Sequence, residues 1–108
     1  MLRTPAVSLG IIRLAELRRR QGRREDAAKL FEQAPQHRLA LLGRAELALE
    51  AGQAERARDL VAQHLRRLPA QTRSERVVGL ELSVRIEAAR GDLGQAAAVA
   101  YAARKGAL

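Results

Sequence analysis

The sequence predicts an all-α fold, a right-handed α–α superhelix (solenoid) of three helix-turn-helix units. A glycine-led motif occurs three times, at Gly22–Ala34 (GRREDAAKLFEQA), Gly52–Leu65 (GQAERARDLVAQHL) and Gly91–Ala103 (GDLGQAAAVAYAA). Ala27, Ala57 and Ala96 each stand five residues after their glycine, and each motif follows an apolar stretch of helical spacing. Phe31 and Tyr101 are the only aromatics, so leucine and alanine carry the packing, which suits close-set helices and does not suit a sheet. Recurrence at this period marks stacked units, none of which buries a core alone.

The elements follow from punctuation and period. Six helices are expected, at about 7–21, 24–34, 37–51, 54–68, 74–90 and 93–105. Pro5 precedes the first periodic stretch, Pro35 ends the second and Pro69 ends the fourth, because proline cannot continue a helix that it follows. Gly22, Gly52 and Gly91 supply a residue free to turn left-handed at a helix C-terminus. In the fourth helix Ala54, Ala57, Leu60, Val61, Leu65 and Leu68 fall on one stripe of a 3.6-residue period. Asp92 with Gln95 has the spacing of a capping box, and Ser74 is the expected cap of the fifth helix. The first and third helices are apolar on more than one side (Ile11, Ile12, Leu14, Ala15, Leu17; Leu39, Leu41, Leu42, Leu47, Leu49), as helices between neighbours are. Gly22 to Gly52 spans 30 residues and Gly52 to Gly91 spans 39, a difference assigned to a loosened linker at 70–73.

With 108 residues the chain forms one domain, 1–108, large enough to bury roughly two thirds of its unfolded surface. Its 47% hydrophobic and 30% charged residues exclude a disordered chain. The net charge of +8 is mostly arginine, since only Lys29 and Lys105 of the 20 basic residues are lysine. GC-rich coding explains that bias as readily as an anionic partner does. The absence of cysteine excludes disulfides and Cys-based zinc sites. The near-apolar runs Leu39–Gly43 and Ala96–Ala103 fall short of the roughly 18 residues that a membrane span needs. The start, MLRTPAVSLGIIRL, lacks the pattern of a secretion signal, so a cytoplasmic location is expected.

These offsets resemble the tetratricopeptide repeat, a 34-residue helix–turn–helix unit. In the first unit Leu14 and Ala15 stand where the family has its Leu-Gly pair, followed at family spacing by Gln21–Gly22, Glu25–Asp26, Ala27, Phe31 and Ala34. The second keeps Ala45, Gly52, Ala57 and Pro69, and the third Gly91–Asp92, Ala96 and Ala103. The units run about 8–35, 37–69 and 74–105; their lengths depart from 34, and Ile11, Leu41 and Leu80 replace the aromatic anchors of the first helices. His64 takes a position usually given to alanine and is expected as a half-buried packing residue. More loosely, the Ala/Arg/Leu-rich texture is similar to repeat segments of large bacterial transcription regulators.

The resemblance implies a non-catalytic scaffold whose partner-binding groove is lined by first-helix residues. Carried over by position, these are Leu9, Ile12, Glu16 and Arg19, then Leu39, Leu42, Glu46 and Leu49, then Val78, Glu81, Arg85 and Ala88. The family's carboxylate clamp maps to Ile12, Glu16, Gly43, Val78 and Leu82, which cannot grip a peptide terminus. What remains is an apolar groove with charged margins, suited to a partner helix, a peptide or an adjoining domain. The competing reading is that these leucines pack against further repeats. The Ala-rich last helix lacks a polar cap, so self-association through the terminal repeat, or continuation in a larger protein, is expected.

The densest charge is Arg18-Arg19-Arg20-Gln21-Gly22-Arg23-Arg24, an alternative nucleic-acid-contacting patch. Cations also belong at a helix C-terminus, and Glu16 with Arg20 and Glu25 with Lys29 have the spacing of ordinary surface pairs. Aromatics that would stack bases are missing. His37 and His64 lie on different helices with no acid at ligand spacing, so no metal is expected. No nucleophile set, phosphate loop or dinucleotide fingerprint occurs, and neither catalysis nor a cofactor is expected.

Overall fold

Three glycines turn the chain back on itself. Gly22, Gly52 and Gly91 have φ of 80°, 78° and 82°, a conformation that a Cβ disfavours. At each, the glycine N–H meets the carbonyl three residues back and the next N–H the carbonyl five back, as in Gly22 to Arg19 (3.0 Å) and Arg23 to Arg18 (2.9 Å). This paired closure satisfies helix-end carbonyls that would otherwise be orphaned and fixes the reversal into the next helix.

The computed structural model describes residues 4–69 and 72–105. Their helices are α1 (Pro5–Arg20), α2 (Arg24–Phe31), α3 (Arg38–Glu50), α4 (Ala54–Arg67), α5 (Arg73–Ala89) and α6 (Leu93–Lys105). The fold is all-α. α1 pairs with α2, α3 with α4 and α5 with α6; α2–α3 and α4–α5 contacts join the pairs, and α1, α3 and α5 also touch in succession. The assembly measures 43 × 31 × 20 Å. None of the described helices is long and apolar enough to cross a membrane.

Several expected details are corrected. α2 stops at Phe31 instead of 34, because Pro35 offers no N–H and crowds the residue before it. The Gln33 and Ala34 N–H groups then close tighter turns onto Leu30 and Phe31. Ser74 does not cap α5: Thr72 holds the cap position, and its hydroxyl donates to the Pro69 carbonyl (2.7 Å). Asp92 does accept from the Gln95 N–H (2.9 Å). At the start of α1, Pro5 takes the first helical position and Thr4 accepts from the Val7 N–H (3.1 Å). Residues 70 and 71 of the expected linker lie outside the described residues. The longer second spacing comes from the helices: α4 has 14 residues against 8 in α2, and α5 has 17 against 13 in α3.

Two apolar clusters form the core. One gathers Ile12, Ala15, Ala27, Phe31 and Ala40 around the first boundary between pairs, and the other Leu41, Ala45, Ala48, Ala57, Leu60, Val61, Leu82 and Ile86 around the second. Alanine faces let the backbones approach, and the larger residues fill the remaining space. Gly43 admits the ring of Phe31, where a Cβ would lie 2.5 and 2.8 Å from two ring carbons. Glu87, a buried carboxylate of α5, meets Arg58 of α4 (3.1 Å) and Arg90 (2.6 Å), which also reaches Glu55 (2.7 Å). A buried charge demands such pairing. α1 is not sandwiched as expected, since Val7, Leu14 and Leu17 are exposed.

Candidate functional site

The first helices of the pairs build one cleft. Ile12, Arg13, Glu16, Arg19 and Arg20 from α1, Leu39, Leu42, Gly43 and Glu46 from α3, and Val78 from α5 enclose about 270 Å³. The helical period explains the grouping: Ile12, Glu16 and Arg19, and Leu39, Leu42 and Glu46, recur at three- and four-residue steps and so share a face. Seven groove residues carried over by position, Ile12, Glu16, Arg19, Leu39, Leu42, Glu46 and Val78, line this cleft.

The other five do not line it, Ala88 being an exposed residue of α5. Leu9 is an exposed residue of α1, and Leu49 packs half-buried against the second core cluster. Glu81 faces a different cleft between α5 and α6, with Val77, Leu80, Val84 and Ala100. Arg85 reaches Glu46 (2.7 Å) by its guanidinium without lining the cleft itself. Leu82, mapped to the clamp, is buried in the core.

Charge across the cleft is organised around Arg19, whose side chain is only 15% exposed. It bonds Glu16 on its own helix and meets Glu50 (3.2 Å) and Glu46 (3.8 Å) on α3. Arg85 joins Glu46 from α5, so one chain of ion pairs crosses α1, α3 and α5. The hydrogen bond to Glu16 raises the Arg19 pKa further above its usual range, with the three carboxylates adding to it. Charge-assisted bonds in partly buried surroundings are the stronger kind.

The basic run divides among several faces. Arg18 donates to Gln21 (3.0 Å), Arg19 enters the cleft, Arg20 approaches Glu16 (3.5 Å) and Arg23 pairs with Asp26 (2.7 Å). Arg24 lies in a separate cleft of about 300 Å³ with Arg44 and Arg56 over Ala28, Leu47, Ala48 and Ala51. Glu25 and Lys29 form no ion pair, contrary to the expectation from their spacing.

Sequence reasoning missed Arg13 and Arg20 as lining residues, although Arg13, Glu16 and Arg20 stand at three- and four-residue steps. It also understated His64, which is wholly buried. Its Nδ1 lies 2.6 Å from the Arg38 carbonyl of α3. A carbonyl only accepts, so Nδ1 carries the proton and Nε2 is left as a bare acceptor. Nε2 is buried without a partner, beside Gly79. Burial holds the His64 pKa below 6.5, against the opposing hydrogen bond to Arg38. His37 accepts the Leu39 N–H through Nδ1 (3.1 Å), and burial lowers its pKa too. No group of His, Asp and Glu suited to a metal occurs among the described residues.

A family model described as tetratricopeptide repeat matches residues 12–80, more than half of the chain. The chain belongs to the tetratricopeptide repeat family. That match takes in every residue that lines the cleft between α1, α3 and α5. Searches of curated proteins and of solved structures returned no match. Tetratricopeptide repeats generally mediate protein–protein interaction and are typically non-catalytic scaffolds.

Proposed function

We propose that this tetratricopeptide repeat is a non-catalytic scaffold that holds a partner helix, peptide or adjoining domain in the cleft between α1, α3 and α5. The supporting observation is that Ile12, Leu39, Leu42 and Val78, from three successive first helices, converge on one concave site. Apolar complementarity supplies the adhesion, and the charged margins set orientation. A right-handed superhelical stack and a cytoplasmic setting go with this reading. Leu42→Glu tests it: capture of a partner is abolished while circular dichroism keeps the helical signal. Loss of helicity would instead place Leu42 in the core and sink the groove assignment.

Self-association through the terminal repeat is a second proposal, resting on α6, where Leu93 and Tyr101 are 71% and 59% exposed. Light scattering should show a concentration-dependent rise in mass, and a stable monomer at high concentration would refute it. The nucleic-acid alternative finds less support, because Arg18, Arg19, Arg20 and Arg23 all have partners within the chain. DNA binding that persists near physiological salt and requires Arg18, Arg19, Arg23 and Arg24 would restore it.

A further inference from the structure

We propose that the cleft selects a helix whose apolar stripe is flanked by acidic residues, and that Arg13 and Arg20 read those acids. The proposal rests on the groove reading above and adds the polarity of the occupant. Both carboxylates that line the cleft are already taken: Glu16 by Arg19, and Glu46 by Arg19 and Arg85. Arg19 is taken as well, gathered by three carboxylates and mostly withdrawn from solvent. The two remaining charges of the lining are both cations. Arg13 has no ion pair, and Arg20 is 72% exposed, at 3.5 Å from a Glu16 oxygen that already serves Arg19.

An incoming carboxylate therefore gains Arg13 outright and Arg20 at the cost of one long 3.5 Å contact, while Glu16 keeps Arg19. An incoming lysine or arginine would have to compete with Arg19 or Arg85 for Glu16 or Glu46. Displacing Arg19, only 15% exposed, would leave a partly buried guanidinium short of a partner, and removing one partner of such a pair costs more than the pair contributes. Arg13 and Arg20 are seven residues apart on α1, about 10 Å or two turns along its axis. A partner helix lying along α1 meets them best with acidic residues at the same two-turn interval, beside the apolar residues that contact Ile12, Leu39, Leu42 and Val78.

The test is selection from a displayed library of amphipathic helices about four turns long, with a constant leucine stripe and randomised flanks. Enrichment of Asp and Glu on one flank, at positions about two turns apart, is expected. Arg13→Ala with Arg20→Ala should abolish that bias and weaken the selected acidic helices roughly three- to tenfold, the scale of two rim ion pairs. Arg13→Lys with Arg20→Lys should retain the bias. Both positions are exposed, so unchanged circular dichroism is expected of every variant. Binders with neutral or basic flanks that lose affinity on Leu42→Glu would overturn the polarity and leave the groove standing. Binders indifferent to Leu42→Glu, or no binders, would overturn the groove reading and the polarity with it.

Discussion

The boundary between the first and second helix pairs and that between the second and third meet one packing problem with different chemistry. At the first, Phe31 of α2 is wholly buried against Gly43 of α3; at the second, His64 of α4 is wholly buried against Gly79 of α5. In each a glycine on the receiving helix makes room for a ring from the helix before. Phe31 needs only the apolar company of Ile12, Ala15, Ala27 and Ala40. His64 brings one satisfied nitrogen and one that is not. The glycine supplies space, and the ring decides whether the joint is dry or responsive to protons.

Four changes would break or sharpen that contrast. The largest effect is expected from Phe31→Ala, which empties the first boundary and should cost about 3–5 kcal/mol in denaturant unfolding. Gly43→Ala comes next. Its Cβ would enter the rigid, enclosed Phe31 ring, and a net loss of about 2 kcal/mol is expected even after the gain in helix propensity. Gly79→Ala should matter less, within about 1 kcal/mol of the parent, since its nearest obstruction is a terminal methyl of Leu65 at 2.8 Å and helix propensity offsets the strain. Equal losses at the two glycines would erase the difference in tolerance between the boundaries.

The last change concerns pH. Burial depresses the His64 pKa, so above about 6.5 the residue is neutral both folded and unfolded, and its contribution is complete. As pH falls below that value the unfolded chain takes up the proton first. Stability therefore declines until the folded pKa is passed. His37 acts in the same direction, because burial, and then the neighbouring Arg38 charge, also lower its pKa. Glu75, whose pKa the Arg38 hydrogen bond lowers, loses its contribution only at more acidic pH, through the carboxylate range. His64→Phe makes the second boundary resemble the first and should flatten the slope between pH 7 and 5 in urea titrations. An unchanged slope would assign the effect to His37.

The helices were legible because their signals are local. Gly22, Gly52 and Gly91 close helices wherever they stand, and the α4 stripe needs only its own spacing. Pro35 was legible as a stop, but the early end of α2 was not, since propensity does not say how far upstream a proline acts. The unequal spacing misled because extra length inside α4 and α5 leaves the same trace as a longer linker. In the cleft, position within the repeat found the apolar lining and Glu16, Arg19 and Glu46. It could not show that these charges neutralise one another, since the Arg19–Glu50 and Arg85–Glu46 pairs join residues over thirty apart. Likewise, nothing near His64 in the sequence names Arg38 or Gly79 as its surroundings.

The chain of neighbours also imposes an order on local opening. α3 touches α1, α2, α4 and α5, whereas α6 touches α5 alone and buries only Ala96. Freeing α6 exposes little apolar surface and regains the conformational entropy of about a dozen residues, whereas freeing α3 means dismantling both cores. Amide hydrogens should thus exchange first along α6, then along α5, and last in α3. These helices then behave as a graded series, firm at α3 and able to loosen α6 without unfolding the rest.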